Sequence, residues 1–273
     1  MPKHPSRRWR VPARTAPDLS AVDTRSTAGA PGDKGATKAA CDTLRGRLTE
    51  LQAALYAEGS RSLLIVLQAM DAGGKDGTIR AVFAGVNPQG VRVASFKAPT
   101  ANELAHDFLW RVHAQTPADG EIAVFNRSHY EDVLITRVHA LVPEAVWRAR
   151  YRRIRAFEEL LHGEGTEIVK IMLHISRDEQ RERLQERIDD PAKRWKFNEA
   201  DLAERRHWDD YQAAFTDAIA ATSTTAAPWY VIPGDRNWYR NWAVLTVLVE
   251  TLERMDPQFP PAPDGVEGLK IPA

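Results

Sequence analysis

The chain has 273 residues, 43% hydrophobic and 27% charged, the composition of a globular protein with room for a sizeable core. Lys and Arg number 37 and Asp and Glu also 37, so the formal net charge of +0 argues against binding long nucleic acid through bulk charge. The lone cysteine, Cys41, rules out an intrachain disulfide and a cysteine zinc site and fits a reducing, cytoplasmic setting. No apolar run reaches the ~18 residues of a membrane span, and no apolar stretch follows the N-terminal arginines to make a secretory signal.

Residues 1–36 are rich in Arg, Pro, Ser, Thr, Ala and Gly and read as a mobile tail. An amphipathic helix is expected from about Ala39, with Leu44, Leu48, Leu51 and Leu55 at helical spacing. Leu63–Leu67 is a short apolar run that ends in Gly-rich sequence, the signature of a buried parallel strand entering a loop. Further strands are expected at Val91–Phe96, Glu121–Phe125, Ile168–Ile175 and Trp229–Ile232. Helical segments lie between them, and Thr100 with Glu103 and Ser176 with Glu179 fit the capping-box pattern. This alternation predicts an α/β domain over 37–257 around a central parallel five-stranded sheet. Asp189-Asp190-Pro191 stops a helix, and the basic and aromatic Lys193–Phe197 follows. The segment 189–206 is either a surface connection or a lid over an anionic substrate. A last helix is expected from about Trp238 to Met255, before a Pro-rich tail over 258–273.

The chemistry-bearing segment is Gln68–Thr78, between the first strand and the helix expected after it. Glycines at Gly73, Gly74 and Gly77 free the backbone, so that N–H groups from Ala72 to Thr78 can face phosphate oxygens. The following helix adds its positive N-terminal end, and Lys75 can reach the outer phosphates. The match to the Walker A pattern is incomplete. Ala69 stands where the first Gly belongs, and Asp76 replaces the Ser or Thr that usually holds magnesium. The metal must then be held elsewhere. Asp71 is a carboxylate suited to magnesium, or manganese in its place; its alternative role is capping backbone N–H groups in the turn.

Glu121–Phe125 runs into Asn126-Arg127-Ser128-His129-Tyr130-Glu131-Asp132. Strand ends in parallel sheets open onto the ligand crevice, so these side chains are well placed for chemistry. Arg127 can grip phosphate bidentately, Asp132 can share a metal with Asp71, and Glu131 can orient an acceptor. The plainer alternative is charge stabilisation at a helix start by Glu131 and Asp132, with Arg127 in a surface ion pair. His129 is read as structural rather than as a phosphorylated nucleophile, since phosphoryl transfer needs no covalent intermediate.

Together these segments resemble the polyphosphate kinase 2 family. Ala69–Thr78 is similar to its phosphate loop. Gly85–Gly90, Ser95–Thr100, Phe125–Leu134, Asp189–Phe197 and Trp208–Tyr211 follow in the family's order, so the resemblance spans roughly 40–256. It implies a P-loop kinase-like three-layer α/β/α fold with a helical lid, and magnesium-dependent phosphoryl transfer between inorganic polyphosphate and nucleotides. It places metal on Asp71 and Asp132, and phosphate on Lys75 and Arg127. Asn126, Glu131 and Asp132 resemble the subgroup called class III, which phosphorylates both AMP and ADP; guanine counterparts are further candidates. Asn126 stands where many members carry Asp. A homo-oligomer, dimer or tetramer, is also implied. A polyanion needs several cations in a row, for which Lys97, Arg127, Arg137 and Arg187 are candidates with Arg181 and Arg183, and Lys193, Arg194 and Lys196 can close as a lid. The competing functions are an ATP-dependent kinase of the same fold and a non-catalytic sensor of polyphosphate or nucleotide. Nucleic-acid binding has no motif to support it.

Overall fold

Five apolar runs form one all-parallel sheet in the computed structural model, which describes residues 4–266 and 269–271. The strands are β1 (Ser62–Ala69), β2 (Val91–Ser95), β3 (Ile122–Asn126), β4 (Thr166–His174) and β5 (Trp229–Pro233), in the order β2-β3-β1-β4-β5. β1 is buried along its whole length. Leu63, Ile65 and Leu67 enter one core while Leu64 and Val66 enter the other, which is why the run is continuously apolar rather than alternating. β1 pairs with β3 from Leu63↔Ile122 to Leu67↔Asn126, and with β4 from Ser62↔Thr166 to Ala69↔Leu173. The chain builds outward from β1 first to one side and then to the other. The crevice of such a sheet opens where that direction changes, at the carboxyl ends of β1 and β3.

The helices are α1 (Lys34–Glu58), α2 (Lys75–Val82), α3 (Ala101–Leu104), α4 (Trp110–His113), α5 (Ile135–Val138), α6 (Glu144–Gly163), α7 (Arg177–Asp189), α8 (Ala200–Glu204), α9 (Trp208–Thr222) and α10 (Asn237–Met255). α1 and α10 share a core with the Leu63 face, while α6 and α9 cover the other face through Tyr151, Ile154, Phe157, Phe215 and Ile219. This is the expected three-layer α/β/α arrangement. Thr100 and Glu103 form the full reciprocal capping box of α3. Ser176 caps α7 by accepting from the Glu179 N–H, but the Glu179 carboxylate turns to Arg183 at 2.8 Å.

Two boundaries differ from expectation. α1 starts at Lys34 rather than near Ala39, because Asp33 caps it by accepting from the Ala36 N–H at 2.8 Å. The mobile tail expected over 1–36 does not hold for residues 4–33, which pack on the domain. The Val11 N–H donates to the Trp229 carbonyl at 2.8 Å and the Val231 N–H to the Trp9 carbonyl at 2.9 Å, an antiparallel bridge along the free edge of β5. Trp9, 5% exposed, meets Trp242 edge-on at 5.5 Å between ring centroids. A polar, Pro-rich composition signals disorder only on average. Three apolar side chains (Trp9, Val11 and Leu19) bury themselves here because a sheet edge offers unpaired backbone partners. Segment 189–206 folds into short pieces: 3₁₀ turns at Arg194–Lys196 and Arg205–His207 with α8 between them. The described residues after 258 carry no helix or strand.

Candidate active site

The loop between β1 and α2 is wound tightly. Gly74 has φ +95°, and Ala72 adopts φ +56°, a conformation that costs a non-glycine residue roughly 1–3 kcal/mol. A methyl group on Gly73 would lie 2.7 Å from the Met70 carbonyl oxygen. The backbone therefore admits nothing larger there. The Lys75 ammonium lies under the loop and donates to the Ala69 carbonyl at 3.0 Å. Burial lowers its pKa, opposed by the nearby Asp71 carboxylate.

β3 delivers the second half of the site. Asn126 donates to the Asp76 carboxylate at 2.7 Å, and Arg127 meets Asp71 at 2.8 Å. Arg127 is also left-handed, at φ +62°. Burial works against its charge, but Glu131 and Asp71 more than offset it and hold the guanidinium above its ordinary range. The chain then makes a 3₁₀ turn, His129–Asp132, capped by the Ser128 hydroxyl. That tight turn sends its two acidic side chains different ways. Glu131 faces the loop, where burial raises its pKa against the pull of Arg127 and Lys75. Asp132 instead takes Arg150 as its partner, at 3.4 Å to the carboxylate, and burial raises its pKa too.

Two cavities meet at Asp71 and Arg127. The larger, of ≈ 620 Å³, brings together Asp71, Ala72, Gly73, Gly74, Lys75, Asp76 and Gly77 with Lys97, Asn126, Arg127, Arg187, Lys193 and Lys196. The smaller, of ≈ 170 Å³, holds Glu131 beside Leu134, Glu204, Tyr211 and Phe215. Five predicted residues lie elsewhere; Arg181 pairs with Asp178 at 3.6 Å and lines neither cavity. Thr78 is buried, and its hydroxyl donates back to the Gly74 carbonyl at 3.0 Å, inside the helix. Arg137 pairs with Asp217 at 2.7 Å and stacks over Trp147. Arg194 donates to the Ile188 carbonyl and does not line the cavity. Asp132 is not brought to Asp71; Glu131 is the carboxylate of that turn that faces it.

Behind the turn sits a buried polar cluster. Lys170 on β4 donates to Glu158 at 2.6 Å, to the Tyr130 hydroxyl at 3.1 Å and to the Thr222 carbonyl at 2.7 Å. Tyr130 in turn donates to Glu158 at 2.8 Å, and His129 lies 3.5 Å from the same carboxylate. Burial opposes the Glu158 charge, but Lys170 and His129 outweigh it and hold that carboxyl below its ordinary range. The cluster holds the first half of the turn that presents Glu131, at His129 and Tyr130.

Sequence reasoning underrated three residues. Arg183 lines the larger cavity and donates to the Ala72 and Gly234 carbonyls at 3.1 and 2.7 Å; its i, i+4 relation to Arg187 was the available signal. Asp201 lines both cavities and pairs with Arg187 at 2.8 Å. Arg240, 3% exposed on α10, presses against Gly74. A charged residue in a largely apolar helix was its only mark.

Two carboxylates on one side of a phosphate loop suit magnesium, which is usually bound through one or two carboxylates plus phosphate oxygens. Among the described residues no cluster of three or more His, Cys, Asp or Glu forms a dedicated metal cage. Asp71 and Glu131 therefore fit an ion that arrives with phosphate.

A model of the polyphosphate kinase 2 family matches residues 32–260. An AMP/ADP-polyphosphate phosphotransferase of Meiothermus ruber is 57% identical over 265 residues, 97% of this chain and 99% of its own length. An ADP-polyphosphate phosphotransferase of Rhodopseudomonas palustris is 50% identical over 226 residues, 78% of each chain. The crystal structure of polyphosphate kinase 2 from Arthrobacter aurescens superposes with a TM-score of 0.93 at 46% identity, covering 97% of this chain and 94% of the other.

Proposed function

The chain belongs to the polyphosphate kinase 2 family, matched over residues 32–260, and from that premise we propose that it moves phosphoryl groups between inorganic polyphosphate and nucleotides, taking AMP to ADP and ADP to ATP. The observation that carries this reading is the meeting of two cavities at Asp71 and Arg127, one rich in cations and one bearing Glu131. Polyphosphate lies in the larger cavity, against the loop N–H groups. The nucleotide phosphate approaches from the Glu131 side. Guanine nucleotides are candidates as well, since a relative in Corynebacterium glutamicum is named a putative GDP-polyphosphate phosphotransferase.

Transfer is direct and in line. Lys75 and Arg127 neutralise the charge that spreads over the moving phosphoryl group. Glu131 and Asn126 set the angle of the acceptor, and Lys193 and Lys196 exclude water from above. Asp71 and Glu131 would hold magnesium, or manganese, which would supply additional charge neutralisation. We further place the protein in the cytoplasm as a homo-oligomer, dimer or tetramer. Among the described residues no helix is long and apolar enough to cross a membrane.

Incubation with magnesium, polyphosphate and either AMP or ADP tests the reading, with products separated by chromatography. ADP and ATP are expected. No product from any nucleotide overturns it, and ATP from ADP without conversion of AMP overturns only the dual activity. Light scattering tests the oligomer.

A further inference from the structure

A third cavity, of ≈ 640 Å³, lies beyond the wall of the phosphate-loop cavity, between the start of α1 and the loop joining β5 to α10. Four cations line it: Lys34, Lys38, Arg45 and Arg236. Its two acidic residues are already engaged. Asp42 pairs with Arg45 at 2.8 Å. Asp235 accepts from the Thr24 hydroxyl at 2.8 Å and the Ser176 N–H at 2.9 Å. Lys34, Lys38 and Arg236 have no carboxylate partner among the described residues.

The wall between the two cavities is itself cationic. Asn237 accepts from Arg183, which faces the phosphate loop, at 3.2 Å, and from Arg240 at 2.9 Å. Arg240 is 97% buried by its 3% exposure, yet its hydrogen bonds go only to the neutral Asn237 and Asn241. Burial, with Arg183 close by, pulls its guanidinium down to about 9. Glu179 offsets part of that cost but is already paired with Arg183 at 2.8 Å, and cations of one sign rarely gather without an anion to share. Arg183 and Arg240 both come close to Gly74, and Arg236, Lys34 and Lys38 line the cleft on the far side of Asn237.

We propose that the cleft between α1 and the β5–α10 loop is a distal phosphate subsite, holding the part of a polyphosphate chain that extends past the phosphate loop. This rests on the polyphosphate reading above and adds to it a basis for chain-length preference. A chain of three or four phosphates fills the loop cavity and stops short of Lys38. A long chain reaches it and binds more tightly. The nucleotide phosphates enter on the Glu131 side and do not use the cleft.

The test is Lys34→Gln with Lys38→Gln. Both side chains are exposed and make no hydrogen bond in the structure, so the fold is not at risk. A control, Arg152→Gln with Arg153→Gln, removes the same charge from exposed positions on α6, on the opposite face of the sheet. KM is measured for long-chain polyphosphate, for tetrapolyphosphate and for AMP. The Lys34/Lys38 variant is expected to raise the long-chain KM roughly tenfold, and to weaken its dependence on salt. The tetrapolyphosphate and AMP values should stay within about twofold, and the α6 control should match wild type. Equal loss for long and short chains, equal loss in the control, or no loss at all overturns the subsite. Failure of the functional reading looks different: the wild-type protein itself turns over no polyphosphate.

Discussion

Replacing Lys170 with Met removes the cation from the buried cluster behind the His129–Asp132 turn. Three hydrogen bonds go with it, to Glu158, Tyr130 and the Thr222 carbonyl. Glu158, 2% exposed, is left as a buried carboxylate with only the Tyr130 hydroxyl and His129 beside it. Breaking one partner of a buried pair costs about 3–5 kcal/mol. The unfolding entropy of a chain this size is about 0.57 kcal/mol/K, from ~2.1 cal/mol/K per residue. A loss of about 4 kcal/mol therefore lowers Tm by roughly 7 °C at pH 7. The deficit should shrink in acid. In the wild type the Glu158 carboxyl is held below its ordinary 4.5, so its share of stability is present above that pH and fades as pH falls below it. In the variant the same carboxyl is raised by burial, so its penalty is present at neutral pH and disappears once it is protonated. Calorimetry of wild type and variant at pH 7 and pH 4 reads both effects. Adding Glu158→Leu to Lys170→Met should recover part of the loss, since no buried charge then remains. A fall in Tm under about 2 °C at pH 7, or a double variant no better than Lys170→Met, would refute the claim that this ion pair clamps the turn.

The remaining predictions concern the site and the surface. Asp71→Asn and Lys75→Met should each lower kcat by roughly two to three orders of magnitude with Tm nearly unchanged, read by coupled ATP formation; near-normal turnover would remove them from the reaction centre. Glu131→Gln should alter the ratio of kcat/KM for AMP to that for ADP by at least about fivefold, because the proposed acceptor path runs past this carboxyl; an unchanged ratio would leave it without a role in acceptor choice. Glu58 sits in a fork with Arg61 at 2.7 Å, which holds its carboxyl down to about 2. Its stabilisation is present above pH 4.5 and lost as pH falls toward 2. Glu58→Gln should therefore reduce stability at pH 6 by about 1 kcal/mol and have no effect near pH 2, as urea titrations at the two pH values would show.

The phosphate loop was legible because its signal is local: a buried strand, three glycines and Lys75 within a few residues. The five strands were legible for the same reason, each ending within about two residues of expectation. Direction was harder. Glu131 and Asp132 are neighbours in sequence, and only the 3₁₀ geometry of their turn decides that one faces the loop and the other Arg150. Arg137 looked free until Asp217, 80 positions away, came to meet it. The N-terminal segment was misread because Trp9 finds its partners, Tyr239 and Trp242, some 230 residues later. The Arg137 and Trp9 misses turn on contacts between distant parts of the chain. Neither periodicity nor composition carries that information.

The strand-like contact of residues 9–11 with β5 also bears on how the protein is handled. A truncated version starting at residue 32, where the family match begins, would strip Val11 and Trp9 from the sheet. It would bare the Trp229 C=O and the Val231 N–H along with the rings of Tyr239 and Trp242. Such an edge is a template for pairing with another molecule. Residues 9–11 thus guard this one edge against unplanned strand pairing. A purification tag belongs ahead of them, not in their place.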